Sequence, residues 1–437
     1  MKNNPPKHDF LREMIKDKRV LLLGFGVEGQ SSYQLLRKLG GFAQLAIADM
    51  KPQPQVDSVV HSGADYLAYI EEYDLVFKSP GIILPRKPHQ YKCVITSQTE
   101  VFLQIFRKQI IGITGTKGKS TVATLLHHVL SQNGIAALLA GNIGTPVFDI
   151  IDEITPETVL VVELSCHQLE YADISPSTAV LLNIFEDHLD RYQTLANYTR
   201  TKKNIYLHQQ SGDIFYYGKD VITQVGEIKT AARTVAIEAG VLPFSLSNST
   251  VKTRFCGSHN TYNTAFVYEI AGRYGVNVQG FMAAFTTFTP LRHRCEWIGE
   301  VAGVDFYDDS ISTTVESTIY SLKSVENAAT VLVGGMDRGI NYTNLVSYLA
   351  ESGLENIICM GESGKRIHLL LTQQVRLQQQ IHYSENLYDA VTVAKQVTRT
   401  GTACLLSPAA ASYGEFRDFR ERGDVFRELV LPQSEET

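Results

Sequence analysis

The chain of 437 residues is 44% apolar and 20% charged, a composition typical of globular proteins that excludes a disordered or fibrous chain. Its length predicts about two to four domains, with three as the working number. The net charge of −6 argues against a partner bound through a nucleic-acid backbone, which would need a basic surface.

Targeting and redox signals are weak. No run of about 18 apolar residues occurs, so no membrane span is expected. The segment from Met1 to Arg19 lacks the apolar core of a signal peptide. The cysteines show neither a CxxC pair nor metal-ligand spacing, and we expect reduced, mostly buried thiols in a cytosolic protein: Cys93, Cys166, Cys256, Cys295, Cys359 and Cys404.

The first part of the chain alternates short apolar runs with amphipathic stretches. Residues 19–23 predict a buried strand, residues 31–39 a helix, and residues 45–49 and 75–77 two more strands. This strand–helix–strand order predicts a parallel sheet.

A second group of elements begins at residue 109. A strand at 109–114 precedes a glycine-rich loop and a helix at 120–132, and buried strands follow at 159–164 and 178–183. Both later strands end in polar residues. In an open parallel sheet such carboxyl ends face the ligand crevice.

A third group starts near Leu291 and contains strands at 330–333 and 403–406. We place domain boundaries near residues 105 and 290. The predicted domains are 1–105, 106–290 and 291–437.

The glycine-rich loop is Gly115-Thr116-Lys117-Gly118-Lys119-Ser120-Thr121. The backbone N–H groups of such a loop, together with the following helix N-terminus, form a binding site for phosphates. Lys119 would reach the outer phosphates, and the hydroxyl of Ser120 or Thr121 would bind Mg²⁺. Ile113 departs from the strict motif, which has glycine there, but the strand–loop–helix context supports the interpretation.

Polar residues follow the next two strands of the same predicted sheet. Glu163 ends one strand, and Asn183 followed by Glu186-Asp187-His188 ends the other. Each group by itself could be a solvated strand end. Their predicted position beside the phosphate loop favours a metal site, in which a carboxylate is the expected ligand for Mg²⁺ and histidine is a less typical one.

A second glycine motif, Gly24-Phe25-Gly26-Val27-Glu28-Gly29, follows the first strand, and Asp49 lies twenty residues beyond it. Taken literally, this is a dinucleotide fingerprint with Asp49 on a ribose. A nicotinamide-dependent dehydrogenase would leave the phosphate loop unexplained, so the motif indicates some nucleotide and not necessarily NAD.

The order and spacing of these residues resemble the Mur ligases of peptidoglycan synthesis over essentially the whole chain. The resemblance is carried by the phosphate loop and by motifs at Gly141-Asn142-Ile143-Gly144, Glu163-Leu164-Ser165, Asn183, Glu186-Asp187-His188-Leu189-Asp190-Arg191-Tyr192, Gly257-Ser258-His259-Asn260, His293-Arg294 and Leu406-Ser407-Pro408-Ala409. It implies an α/β fold of three domains: a Rossmann-like N-terminal domain for a UDP-sugar, a central P-loop ATPase domain and a Rossmann-like C-terminal domain for an amino acid.

The implied activity is a ligation. ATP phosphorylates the carboxylate of UDP-N-acetylmuramoyl-L-alanine, the amine of glutamate attacks the acyl phosphate, and phosphate leaves, with D-glutamate as the family default. Such a cytoplasmic enzyme serves cell wall biogenesis, cell shape and cell division, with ATP and Mg²⁺ required. We expect a monomer with no nucleic-acid partner.

The resemblance also implies residue roles. Lys119, Lys202, His188 and Arg294 would be catalytic, with Lys202 carbamylated, although Lys203 is adjacent. Metal ligands would be Ser120, Glu163, His188 and carbamylated Lys202. ATP would contact Gly115 to Thr121, Asn263, Arg294 and, through its ribose, Asp309. The UDP-sugar would contact Gly26, Val27, Asp49, Lys51, Ser79, Gly81, Asn142, Ser165 and Gln168.

The glutamate pocket departs from the family pattern. Thr313, Ser412 and Phe419 are kept, but Ile311 stands where a lysine is typical, and Arg338 matches a second lysine. Arginine clamps a carboxylate through two parallel hydrogen bonds, whereas lysine is a point charge. Two hypotheses follow: the pocket keeps D-glutamate through Arg338, or it prefers L-glutamate.

Two further alternatives are open to test. Folylpolyglutamate synthetases share the ATPase and C-terminal architecture, but residues 1–105 argue against them because that class lacks a comparable UDP-binding domain. The second alternative is a non-catalytic nucleotide-binding regulator. Retention of four residues argues against it: Lys119, Glu163, His188 and Lys202.

Overall fold

The computed structural model describes residues 7–53, 56–238, 242, 258–325, 327–374 and 378–431. Within them the chain forms two compact units: Met1–Val241 with Tyr262–Phe285, and Leu242–Thr261 with Thr286–Thr437. The first unit holds two sheets and the second holds one. The domain boundaries near 105 and 290 stay predictions.

The strands are, in chain order, β1 (Arg19–Leu23), β2 (Gln44–Asp49), β3 (Val59–Ser62), β4 (Leu75–Lys78), β5 (Val94–Thr96), β6 (Ile110–Thr114), β7 (Ala137–Gly141), β8 (Val159–Glu163), β9 (Thr178–Leu181), β10 (Ile214–Gly218), β11 (Arg233–Ile237), β12 (Glu296–Val301), β13 (Val304–Asp308), β14 (Ala328–Gly334), β15 (Asn356–Met360), β16 (Gln380–Ser384) and β17 (Ala403–Leu406).

The α-helices are Lys7–Ile15, Val27–Leu39, Gln98–Phe106, Lys119–Gln132, Cys166–Leu169, Leu189–Tyr192, Leu195–Leu207, Ile222–Val225, Ser258–Gly272, Val278–Thr287, Val315–Ser324, Thr343–Glu351, Gly361–Thr372, Leu387–Val397 and Phe419–Val430. Short 3₁₀ helices cover Tyr66–Glu72, Pro88–Gln90, Ile151–Glu153 and Lys219–Val221. No helix in the described ranges is long and apolar enough to cross a membrane.

The first sheet has the order β3-β2-β1-β4-β5, and its pairs are parallel, as the sequence predicts. Val20 to Leu23 of β1 are fully buried because this central strand is covered on both faces. The helix predicted at 31–39 begins earlier, at Val27. Gly26 takes an extended conformation as the N-cap, so the helix starts inside the glycine motif.

The second sheet, β11-β10-β9-β6-β8-β7, is also parallel throughout. Its centre is β6, which pairs with β8 on one side and β9 on the other. The strand predicted at 178–183 ends at Leu181. Beyond it the chain turns towards the glycine loop, where the Asn183 carbonyl accepts a hydrogen bond from the Thr116 N–H at 3.0 Å.

The sheet of the second unit has the order β12-β13-β17-β14-β15-β16. Only its first pair, β12 with β13, is antiparallel. The α/β class is confirmed, and both strands predicted here are present as β14 and β17. The cysteines in the described residues are free thiols, and Cys256 lies outside them.

Substitution of Gly364 by alanine tests how tightly the second unit is packed. A Cβ there would lie 2.9 Å from the backbone carbon of Cys359. Gly364→Ala gains about 1 kcal/mol of helix propensity, but overpacking costs about 1–3 kcal/mol. We therefore expect a lower free energy of unfolding by chemical denaturation. Gly353→Ala, where a Cβ meets nothing within 4 Å, is the control and should change stability little. Equal stability of both variants would contradict this packing.

Candidate active site

The glycine loop joins β6 to the helix Lys119–Gln132. Gly118 caps that helix in the left-handed conformation, with φ of 84°. The Lys119 ammonium donates to the carbonyl oxygens of Gly115 at 3.1 Å and Thr116 at 3.0 Å. Ile113, the departure from the strict motif, is a buried residue of β6. A loop followed by a helix N-terminus provides the backbone donors that hold a phosphate.

Asn183 fixes the shape of this loop from the neighbouring strand end. Its Oδ1 accepts from the Lys117 N–H at 2.8 Å, and its Nδ2 donates to the Lys117 carbonyl at 3.0 Å. The Thr116 hydroxyl lies 3.2 Å from the hydroxyl of buried Tyr198. The sequence placed Asn183 near the loop, and the structure gives it this bracing contact.

Lys202 lies under the loop with 1% of its surface exposed. Its Nζ donates to the Gly115 carbonyl at 2.7 Å and stands 3.4 Å from the Thr114 hydroxyl. Burial, and secondarily the charge of Lys119, lowers the pKa of Lys202 to about 7. A lysine with this pKa is largely an unprotonated, nucleophilic amine at slightly alkaline pH. Lys203 instead donates to the Val225 carbonyl at 2.6 Å.

Glu163 ends β8 beside the loop and is 1% exposed. One carboxylate oxygen accepts from Asn142 Nδ2 at 2.7 Å, while Oε2 has no hydrogen-bond partner among the described residues. An unpartnered buried carboxylate oxygen is costly unless a cation or donor satisfies it. Together with buried Ser120 in the first helical turn, this oxygen fits a bound Mg²⁺.

His188 occupies a strained turn, with φ of 53°, before the helix Leu189–Tyr192. Its ring centroid lies 4.8 Å from that of His167, and the sulfur of Cys166 completes a close group of three possible metal ligands. Burial lowers the pKa of His167 to about 4, so that its ring is neutral at physiological pH. Sequence spacing gave no metal signal for the cysteines, and the proximity of the Cys166 sulfur to the rings of His167 and His188 is visible only in the structure.

The glycine motif after β1 is held by Asp49. Its two carboxylate oxygens accept from the backbone N–H groups of Phe25 at 2.7 Å and Lys51 at 2.8 Å. Ser79 Oγ donates to the Gly24 carbonyl at 2.9 Å. Asp49 thus closes the loop, whereas the literal fingerprint would place it on a ribose. Gly26 lies at the helix N-cap, followed by the exposed side chain of Val27.

Ser165 and Gln168 cap the short helix that follows β8. The two side chains form a reciprocal capping box, and Gln168 Nε2 donates to Glu28 Oε1 at 2.7 Å. Arg191 reaches the Gly81 carbonyl at 3.4 Å. The predicted UDP-sugar residues Gln168 and Gly81 are therefore each tied to a charged side chain.

Sequence reasoning assigned no role to several charged residues near this group. Lys78 is buried, with its Nζ 3.9 Å from Glu170, and Arg191 pairs with the same carboxylate. Burial lowers the pKa of Lys78 to about 8. The sequence signal that could have identified Lys78 is its position at the end of β4, next to the predicted site residue Ser79. Lys78, Thr96, Glu100, His167 and Gln168 line one pocket.

The remaining predicted ATP contacts divide between the two units. Asn263 is buried in the first unit, and a Cβ on Gly118 would lie 2.5 Å from its Oδ1. In the second unit Arg294 is exposed and Asp309 is buried. Asp309 accepts from Ser407 Oγ at 2.7 Å and from the Cys295 N–H at 3.1 Å, and burial raises its pKa to about 6. The ribose role of Asp309 stays a prediction.

Arg422 connects the segments that carry three of the predicted glutamate residues, Thr313, Ser412 and Phe419. The Arg422 side chain is 1% exposed and donates to the carbonyls of Ser310 at 2.8 Å and Ala410 at 3.1 Å. Ser310 Oγ in turn donates to the Phe419 carbonyl at 2.7 Å. Arg422 thus connects three segments. One carries Ile311 and Thr313, the second carries Ser412, and the third carries Phe419. Burial lowers the pKa of Arg422 to about 10, and the sequence analysis missed this residue.

Arg338 is exposed and lies two residues beyond the backbone bridge between Met336 and Ala411. Ser412 is buried and lines a small pocket with Met336, Gly361 and Arg422. The roles of Arg338, Thr313, Ser412 and Phe419 stay predictions.

The fold and site define an α/β nucleotide-binding protein with a phosphate loop. The model of the Mur ligase middle domain matches residues 113–239. The UDP-N-acetylmuramoylalanine–D-glutamate ligase of Clostridium kluyveri is 30% identical over 460 residues, covering 97% of this chain and 98% of its own. The ligase of the same name from Clostridium acetobutylicum is 30% identical over 471 residues, covering 97% and 99%.

Solved structures agree on the fold. The MurF ligase from Thermotoga maritima in complex with ADP has a TM-score of 0.59 at 16% identity and covers 96% of each chain. The UDP-N-acetylmuramate-alanine ligase MurC from Thermotoga maritima has a TM-score of 0.53 at 16% identity and covers 94% of this chain and 98% of its own. The chain belongs to the Mur ligase family of ATP-dependent ligases, as the sequence motifs predicted.

Gly118 offers a test of the loop. Gly118→Ala should weaken ADP binding at least about tenfold, because the new Cβ must displace Asn263 or reshape the loop. Gly134→Ala is the matched control: with a φ of 75°, this residue just beyond the C-terminal end of the same helix imposes a similar backbone strain, but a Cβ there meets nothing within 4 Å. Calorimetric titration with ADP measures both. Equal loss of affinity in the two variants would show that backbone strain alone is responsible.

Proposed function

We propose that this protein ligates D-glutamate to UDP-N-acetylmuramoyl-L-alanine, using ATP and Mg²⁺, in the cytoplasmic synthesis of peptidoglycan. The observation that supports this proposal is that three features meet at one edge of a sheet in a chain of this family: the phosphate loop, buried Lys202, and a Glu163 oxygen without a partner in the described part of the chain. The relatives named D-glutamate ligases favour the D enantiomer over the L-glutamate alternative.

In the proposed reaction the loop and Lys119 bind the phosphates of ATP and offset their negative charge. The substrate carboxylate attacks the γ-phosphorus, and ADP leaves. The glutamate amine then attacks the acyl carbon, its nitrogen loses a proton, and inorganic phosphate leaves with that proton as the amide forms. Asn263, Arg294 and Asp309 are the proposed further contacts to ATP.

Mg²⁺ would be held by Ser120, Glu163, His188 and a carbamate on Lys202. When bound, it neutralises charge on the transferred phosphoryl group. The residues themselves do the positioning: Asn142 donates to Oε1 of Glu163, so Oε2, which has no partner among the described residues, would be available to the ion. The Gly115 carbonyl holds the Lys202 amine at the same edge.

The substrate assignments follow the sequence motifs. Gly26, Val27, Asp49, Lys51, Ser79, Gly81, Asn142, Ser165 and Gln168 are proposed to line the UDP-sugar path. Arg338, Thr313, Ser412 and Phe419 are proposed to hold glutamate. We propose a monomer organised as domains 1–105, 106–290 and 291–437, with the amino-acid site in the C-terminal domain.

The decisive experiment is an assay of the purified full chain with UDP-N-acetylmuramoyl-L-alanine, ATP, Mg²⁺ and either enantiomer of glutamate. We expect phosphate release and a ligated product only with all substrates present, and faster turnover with D-glutamate. Lys119→Ala should abolish turnover. Phosphate release independent of the UDP-sugar and amino acid would refute the ligase and favour a nucleotide-binding regulator. Faster turnover with L-glutamate would refute only the enantiomer.

Lys202 carbamylation has a direct spectroscopic test. With a pKa of about 7, roughly nine-tenths of its amine is unprotonated at pH 8, against under about 1% for an ordinary lysine. Protein equilibrated with ¹³C-labelled CO₂ should therefore show one carbamate resonance, stronger at pH 8 than at pH 6 for equal dissolved CO₂.

The resonance should disappear in Lys202→Arg and persist in the matched variant Lys203→Arg. If the resonance disappears only in Lys203→Arg, the carbamate is on Lys203 and the assignment to Lys202 is wrong.

Arg338 carries the proposed contact to a glutamate carboxylate. Because a charge-assisted hydrogen bond contributes about 1.5–3 kcal/mol, Arg338→Ala should raise the KM for glutamate roughly tenfold or more and leave the KM for ATP within about twofold. Arg399→Ala, which removes an exposed arginine of the same unit paired with Glu355, is the control. Steady-state kinetics measure the KM values for glutamate and for ATP. Similar rises in both would show that Arg338 does not contact glutamate.

A further inference from the structure

Three side chains with affinity for transition metals meet beside the phosphate loop. The sulfur of Cys166 and one ring nitrogen each of His167 and His188 all lie within 4.8 Å of one another. In a tetrahedral zinc site made of one sulfur and two nitrogens, the ligand atoms stand roughly 3.3–3.6 Å apart. Side-chain movements of about 1 Å would bring these three atoms to that geometry.

We infer that Cys166, His167 and His188 form a binding site for a thiophilic divalent ion of the zinc class. Thiolate and imidazole ligands favour Zn²⁺, whereas Mg²⁺ prefers oxygen ligands. Three protein ligands leave a fourth position for solvent. On binding, the Cys166 thiol passes its proton to solvent as the sulfur–metal bond forms.

The surroundings allow an ion to enter and be held. Cys166 is buried, His167 is half-buried, and the His188 side chain is 44% exposed, which opens the group to solvent on one side. The ring of Tyr192 lies parallel to that of His167, with centroids 5.8 Å apart. This stacking limits the rotation of the His167 ring, which reduces the entropy lost when it binds a metal.

Nearby charges balance one another. Lys78 and Arg191 face His167, but both interact with Glu170. Asp187 Oδ1 lies 3.9 Å from His188 Nε2, on the exposed side of the group. The divalent ion would therefore meet a cysteine thiolate and Asp187 as well as Lys78 and Arg191, which share Glu170. Lys202 also acts on His167 and Cys166, and its partner is the Gly115 carbonyl.

The site shares His188 with the proposed Mg²⁺ site, which gives it a consequence. A neutral imidazole offers a single lone pair to a metal because its other ring nitrogen carries the proton, so occupation by Zn²⁺ removes His188 from the Mg²⁺ site and lowers turnover. This inhibition rests on the proposed ligase function. The binding of the ion itself does not.

Binding is tested by titrating the metal-free, reduced full chain with Co²⁺, a spectroscopic substitute for Zn²⁺. We expect one thiolate-bound Co²⁺ per chain, a sulfur-to-cobalt charge-transfer band that saturates at that stoichiometry, and loss of that band when Zn²⁺ is added. Cys166→Ser should abolish the band, and His167→Gln should weaken Co²⁺ binding at least about tenfold. Cys295→Ser and His208→Gln are matched controls and should bind as the unaltered chain does.

Absence of the band from the unaltered chain, or its persistence in Cys166→Ser, overturns the site. Circular dichroism establishes that each variant is folded, and His167→Gln gives an independent reading if Cys166→Ser is not.

Inhibition is measured separately, with each variant's turnover normalised to its own rate in Mg²⁺ alone. Half-inhibition of Cys166→Ser should need at least about tenfold more Zn²⁺ than that of the unaltered chain. Equal inhibition of the two would overturn the shared role of His188. Failure of all ligase activity would instead refute the proposed function, and the cobalt spectra would still decide the site.

Discussion

The parallel pairing of β6 with both β8 and β9 is the constraint on which the candidate site depends. Ile113 lies opposite Glu163, and Thr114 lies opposite Leu181, so the three strands end together. Because neighbouring strands are about 4.8 Å apart, the glycine loop, Glu163 and Asn183 must emerge within about 10 Å of one another. The rest of the site consists of side chains that reach this edge from flanking helices.

The charges at that edge are only partly satisfied by the protein. The amines of Lys119 and Lys202 donate hydrogen bonds to loop carbonyls, and one oxygen of buried Glu163 has no partner among the described residues. Buried charge with incomplete partners costs stability, as does the left-handed backbone of His188. Such costs are typical of functional sites, because a bound phosphate and its cation supply the missing interactions.

Much of the fold could be predicted because parallel strands buried on both faces appear as continuous apolar runs. The runs of β1 and β17 gave both bounds correctly. The sequence prediction started the helix Val27–Leu39 at residue 31, too late, because Gly26 and Gly29 suggested a loop. The helix Lys7–Ile15 was not predicted, since only Leu11 and Ile15 of that polar segment are buried. Helix starts depend on capping and packing that local composition does not reveal.

By itself the sequence determined the phosphate loop, the strand-end carboxylate Glu163 and the family, because these reside in local order and spacing. Only the tertiary structure decided that Lys202 is buried, since it lies on a helix and meets Gly115 across 87 positions. It likewise decided that Arg422 joins Ser310 to Ala410, and that Cys166 and His167 meet His188. These contacts depend on how separate elements pack, and burial then sets each group's charge, because desolvation acts only after the chain has folded.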